Sequence, residues 1–264
     1  KVGDFYNAFM DEAAIEARGG APLVEDLAPF RQARTKSDFA RALGRSLDGF
    51  GPGLFPFFIN QDAKDPERYI PIFSQGGLGL PDRDYYLSAD PKLADIRAKY
   101  VAHVANMLRL TGTPAGDAPA KARRIFELEK KFAQVHWTRV ESRDRDKTYN
   151  KWTAADFARK SPGFDWAAYL STAGLGLQQE FIVSQPTAFA GMAKVFAATP
   201  LQTLKDWAVY HTARDAAGVL PKAFVDERFD FTGRVLSGTP ELEPRWKRGV
   251  NAVNGAVGEA VGEL

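Results

Sequence analysis

Apolar residues recur along this chain at steps of three and four, and that spacing predicts helices over most of its length. Val2, Phe5, Tyr6, Phe9, Met10 and Ala13 share one helical face at the start. Val250, Val253, Val257, Val261 and Leu264 share another at the finish. Ser37-Asp38 reads as the cap of a helix carrying Phe39, Leu43 and Leu47, which breaks at Gly49–Gly53. Asp90-Pro91 pairs a cap with a proline in the first turn, ahead of the stripe Leu93, Ile96, Tyr100, Val104 and Leu108. Gly112 and Pro114 end that stripe. Ile125, Leu128, Phe132 and Val135 form the next one, and Arg123, Arg124, Glu127, Glu129, Lys130 and Lys131 predict a wet face around it. Thr153 with Asp156, close to a capping box, and Asp165 start shorter helices. Further helices are read over 186–198, 200–217, 221–237 and 244–264.

One stretch departs from this period. Phe55–Asn60 and Arg68–Phe73 are β-prone and flank the turn formers Asp62-Ala63-Lys64-Asp65-Pro66, which predicts a β-hairpin over about 54–74. Phe181-Ile182-Val183-Ser184 is a candidate further strand. The expected fold is therefore mainly α, a multi-helical unit with a small β appendage, read as one domain over 1–264. No repeat of fixed period and no low-complexity linker interrupts it.

Composition narrows the class. Hydrophobic residues at 45% and charged residues at 26% over 264 positions are globular values and argue against disorder. The net charge of +2 lacks the clustered basic face of a nucleic-acid binder. Zero cysteines exclude disulfides, cysteine-zinc sites, iron–sulfur ligation and thiol catalysis. No apolar run nears the ~18 residues of a membrane span. Lys1-Val2-Gly3-Asp4 lacks the pattern of a signal peptide. Both terminal stripes stop without caps, so the expectation is a segment cut inside helices at both ends from a longer product.

Candidate chemistry is sparse. The three histidines, His103, His136 and His211, lie far apart, without the one-turn spacing of an H-E-x-x-H zinc helix, and each reads as structural. There is no G-x-S-x-G elbow, Walker A or G-x-G-x-x-G sequence. Gly76-Gly77-Leu78-Gly79 runs into Pro81 with no Lys-Ser or Lys-Thr pair behind it, so it reads as a turn needing positive φ. Asp82/Asp84 and Glu127/Glu129 are carboxylate pairs at i, i+2, a spacing that does not bring side chains face to face on a helix. Glu141–Lys147 alternates in sign and reads as a solvated loop. Trp137, Trp152, Trp166, Trp207 and Trp246 read as core. These readings leave no catalytic, cofactor-binding or metal residue to name.

Gly-Gly-Leu-Gly-Leu-Pro-Asp-Arg-Asp-Tyr-Tyr-Leu at 76–87 resembles the signature of the N-terminal region of the neprilysin-type (M13) zinc metalloendopeptidases. Asp11–Glu16 with Ala21-Pro22-Leu23, Val135–Glu141 with Lys147-Thr148-Tyr149-Asn150, Arg245–Asn251 and Val257–Gly262 are similar to further blocks of that family in the same order. The resemblance spans the chain and implies a mostly helical, non-catalytic lobe. The family's H-E-x-x-H helix, glutamate ligand, Asn-Ala substrate clamp and acid/base residues would lie beyond Leu264, and its substrate-carboxylate arginine before Lys1. Asn7-Ala8-Phe9 looks like the clamp only in letters and takes no role. The lack of cysteine, with Gly249 at one place where relatives carry it, fits a bacterial member.

The resemblance thus implies no cofactor in this chain and zinc in the longer parent. Its implied partners are the catalytic domain of the same polypeptide and the parent's peptide substrates, with no nucleic acid, in the periplasm or at the cell surface. The implied role is a cap that restricts access to the active-site cavity, with this chain alone inactive. A stand-alone helical peptide-binding module and an autonomous carboxylate-based hydrolase are the competing readings. The face carrying Gly255, Gly258 and Gly262, with Asn251, is expected to pack tightly inside the lobe or against the missing half.

Overall fold

The structure, a computed structural model, describes residues 2–262. Helices α1 (Val2–Met10), α2 (Glu12–Arg18), α3 (Leu23–Gln32) and α4 (Lys36–Arg45) lead into the hairpin β1 (Phe57–Asp62) and β2 (Asp65–Phe73). The short α5 (Arg83–Leu87) precedes two long helices, α6 (Pro91–Leu110) and α7 (Ala118–Val135). Then follow β3 (Lys151–Thr153), α8 (Ala154–Lys160), α9 (Trp166–Thr172) and β4 (Glu180–Val183). The chain closes with α10 (Pro186–Ala198), α11 (Leu201–Ala216), α12 (Lys222–Arg228) and α13 (Arg245–Gly262). A π-helical stretch, Phe229–Leu236, extends α12.

The mainly helical expectation holds, and the appendage is larger than a hairpin. A four-stranded sheet runs in the order β1-β2-β4-β3. β2 pairs β4 in parallel through Ile72 with Ile182 and Phe73 with Val183, while the outer pairs are antiparallel. The β-prone 181–184 stretch is thus a central strand, and β3 was not foreseen. The hairpin turn is also tighter than read, because Asp62 accepts the Lys64 N–H (3.0 Å) and the Tyr149 hydroxyl (2.7 Å) and stays in the ladder.

Aromatic packing fixes this sheet to the helices. Phe73 lies 5.3 Å from Phe157 on α8 and 6.3 Å from Phe189 on α10, ring centre to ring centre. Trp166 stacks on Phe189 at 5.9 Å. Such pairs add about 1 kcal/mol each beyond their buried area. Of the tryptophans read as core, Trp152, Trp166 and Trp207 are buried, whereas Trp137 is half-buried and Trp246 is exposed.

Local signals placed several helix starts correctly. Asp90 accepts the Lys92 N–H, Thr153 and Asp156 form a reciprocal capping box, and Asp165 accepts the Ala168 N–H. The α4 cap is instead Thr35, again boxed with Asp38, because Ser37 donates its hydroxyl to Asp165 (2.5 Å). The first stripe is two helices rather than one, since Asp11 caps α2 through the Ala14 N–H.

α13 lies across α1. Arg245 donates two hydrogen bonds to the Phe9 carbonyl and covers the Phe9 ring at 4.9 Å. The close approach falls at Gly249, where a Cβ would stand 2.9 Å from the Tyr6 ring. The glycine face behaves differently from the expectation of packing within the lobe. At Gly255 and Gly258 nothing lies within 4 Å of where a Cβ would be. The surroundings of Gly262, the Val261 side chain and Leu264 lie outside the described residues. No helix among the described residues is long and apolar enough to cross a membrane.

Two glycines allow a paired test of this packing. At the α4–α9 crossing, a Cβ on Gly44 would sit 2.6 Å from the Tyr169 carbonyl oxygen and 2.2 Å from the Thr172 hydroxyl. Gly44→Ala is expected to lower stability by about 1–3 kcal/mol. Gly255→Ala, in open space on a helix, is expected to raise it by up to about 1 kcal/mol. Urea unfolding midpoints of the two variants measure both effects, and a stabilised Gly44→Ala protein contradicts the crossing geometry.

Candidate functional site

A cavity of about 600 Å³ opens on the segment Gln75–Arg83, between β2 and α5. Three glycines shape this segment, each for its own reason. Gly77 takes φ +85°, where side chains are strained. A Cβ on Gly76 would stand 2.2 Å from the Gly53 carbonyl oxygen, and one on Gly79 1.9 Å from the Tyr100 hydroxyl. The positive-φ reading therefore fits Gly77 alone, while close approach dictates its two neighbours.

The segment is held from below by a buried carboxylate. The N–H groups of Gly79 and Leu80 donate to the Tyr86 oxygen at 3.1 and 2.9 Å. Tyr86 in turn donates to Glu129 Oε2 (2.7 Å), as does Tyr100 (2.6 Å). His211 Nε2 completes the set on Glu129 Oε1 at 2.7 Å. Glu129 is wholly inaccessible to solvent, so these three donors replace the water that its carboxylate gives up. Burial first, and the Glu129 charge second, push the Tyr86 and Tyr100 hydroxyls well above the usual phenol range. Both stay protonated and able to donate.

The far wall is the turn after α7. His136 Nε2 donates to the Gly76 carbonyl at 3.0 Å. The Gln75 side chain pairs with the Trp137 backbone in both directions, at 3.0 and 2.8 Å. Arg83 Nε reaches the Ala133 carbonyl at 3.3 Å. Burial pushes the His136 imidazole down to about 4, with the Arg83 charge helping. His211 is pushed down as well, by burial and then by the Arg214 charge. Each histidine is held neutral with Nε2–H as its donor.

The residues considered from sequence fall into different places. Glu129 belongs to the apolar stripe, not to the wet face of α7 where it was expected. The signal was present, because Glu129 stands four residues after Ile125 and three before Phe132. Of the carboxylate pairs, Asp82 caps α5 through the Asp84 N–H (2.8 Å) while Asp84 is exposed, and Glu127 is exposed while Glu129 is buried. Glu141 accepts from Thr138, and Lys147 lies 3.7 Å from Asp144, local contacts on an exposed turn. Asn7-Ala8-Phe9 sits inside α1.

The donor set does not fit a zinc site. His103 faces Glu227 (2.9 Å), His136 the Gly76 carbonyl and His211 Glu129, so the three rings serve separate contacts. Among the described residues, no group of three or more His, Cys, Asp or Glu could hold a metal ion.

Comparison with known proteins places this geometry. The model of peptidase family M13 matches residues 1–264. Mouse neprilysin is similar, with 26% identity over 100% of this chain and 39% of its own length. Bovine endothelin-converting enzyme 1 shares 23% identity over 100% of this chain and 36% of its own length. The zinc metalloprotease Zmp1 of Mycobacterium tuberculosis, solved with an inhibitor, superposes with a TM-score of 0.93 at 38% identity. That match covers 99% of this chain and 40% of Zmp1. The chain thus spans about two-fifths of the proteins it matches.

Two outcomes test the site. Removing the acceptor in Glu129→Ala strands three buried donors and is expected to lower stability by about 3–5 kcal/mol. Glu129→Gln, which keeps the shape, should lose less, as read from urea midpoints. The second outcome concerns pH. His136 binds its proton near pH 4 when folded and near 6.5 when unfolded, so its contribution is complete above about pH 7 and fades as pH falls. Between pH 7.5 and 5 the chain should lose roughly 2 kcal/mol through this ring. His136→Asn should flatten the slope of stability against pH, and an unchanged slope rejects the assignment.

Proposed function

The chain belongs to peptidase family M13, and from that premise we propose that it forms the non-catalytic lobe of a zinc metalloendopeptidase. In this reading 1–264 is one helical domain that caps a catalytic domain on the same polypeptide, and the lobe walls the chamber in which peptides are cut. The carrying observation is the fit of nearly the whole chain to two-fifths of Zmp1, together with a cavity built on the Gly76–Leu87 signature. Zinc, bound by the parent outside this chain, would supply Lewis-acid activation of water and carbonyl. This lobe contributes shape. Its rigid rim admits extended peptides and excludes folded proteins, which cannot thread a cleft of this size. A periplasmic or cell-surface setting is part of the same proposal.

The test compares this chain with the longer polypeptide that contains it, on a short fluorogenic peptide. The longer protein should cleave it, lose activity to a chelator and regain it with zinc, and should leave a folded protein substrate intact. This chain alone should cleave nothing. Cleavage by this chain, indifferent to chelator, overturns the proposal in favour of an autonomous hydrolase. Tight metal-free peptide binding by this chain, with no activity in the parent, favours a stand-alone binding module.

A further inference from the structure

The same cavity offers more arginine N–H donors than its own contacts consume. Arg83, Arg139 and Arg214 line it, each facing one aspartate, Asp84, Asp82 and Asp215 in turn. Each guanidinium offers five N–H donors in a fixed fork. Among the described residues, Arg83 uses Nε on the Ala133 carbonyl, and its Nη1 stands 3.9 Å from Asp84. Arg214 spends Nε and Nη2 on the same oxygen of Asp215, at 2.8 and 2.7 Å. Arg139 touches Asp82 at 3.4 Å. The carboxylates are the more committed side, because Asp82 also caps α5. His136 and His211 add no acceptor charge.

Position sharpens the imbalance. The Arg83 and Arg214 side chains are only 24% and 21% exposed, whereas Arg139, at 68%, stands at the wet rim. Partly desolvated guanidiniums bind carboxylates more strongly than solvated ones.

We propose that this cavity receives an acidic side chain of the bound peptide, its carboxylate taken by the guanidinium groups of Arg83 and Arg214. The inference rests on the peptidase reading and adds a substrate preference to it: peptides with Asp or Glu at one fixed distance from the cleaved bond.

The probes are fluorescent peptides, acetylated and amidated so that a side chain supplies the only carboxylate, identical except for Glu, Gln or Lys at one scanned position. Anisotropy measures their binding to the full-length protein, and cleavage is followed on the same peptides. At one position Glu should bind about tenfold more tightly than Gln, with Lys weaker than both. That ratio should fall toward one in Arg83→Gln and Arg214→Gln. It should also shrink in the unsubstituted protein from about 50 mM to about 500 mM salt, which needs no variant to fold. Equal binding of Glu and Gln peptides at every position overturns the inference, as does a ratio untouched by both substitutions and by salt. Cleavage of neither peptide with the Glu preference intact rejects the peptidase reading alone.

Discussion

A carboxylate with no access to water has to be met by donors from the protein, and Glu129 is met from three directions. Tyr86 comes from α5, Tyr100 from α6 and His211 from α11, with Glu129 itself on α7. Four helices are thereby fixed by one side chain that tolerates little displacement, since an orphaned buried donor costs about 1–3 kcal/mol. The constraint passes outward through Tyr86 to two backbone amides of the glycine-rich segment. The cavity wall is therefore set by helix packing deep in the lobe and not by the segment's own turn preferences.

The sheet plays the complementary part. It buries Phe73, Phe181 and Val183 against α8, α9 and α10, and holds the chain on either side of the cavity. The Ser74 N–H donates to the Pro56 carbonyl and the Ser184 N–H to the Phe73 carbonyl, so the ladder continues up to the residue where the glycine segment begins. One end of the segment is thus tied to the ladder and the other to the Glu129 cluster. A wall tied at both ends suits the shaping role we propose for this lobe.

Much of this was legible from local patterns, and what was not legible shares a cause. Caps at Asp90, Thr153 and Asp165 were readable because a cap answers to residues two or three places away. The α4 cap was misplaced by two residues because Ser37 is claimed by Asp165, far along the chain. β4 was visible as a β-prone tetrapeptide, yet nothing nearby names β2 as its partner. Glu129 hid in a charged run, although its spacing put it on the apolar face. The cavity was invisible for the same reason, because it gathers residues near 51, 75, 83, 136 and 214. The family resemblance rested above all on a segment whose glycines the packing requires.

The parallel pairing of Ile72 with Ile182 has a consequence for how the molecule comes into being. Closing a loop of about 110 residues is entropically expensive, and such non-local pairings slow folding. As the chain leaves the ribosome, β2 emerges long before β4 and waits with one edge of its backbone unsatisfied. Phe58, Ile59 and Tyr69 remain exposed on that hairpin even in the finished fold. An open strand edge beside exposed apolar side chains is a template for wrong partners. The nascent hairpin is thus vulnerable to aggregation, and the arrival of β4 covers the open edge of β2.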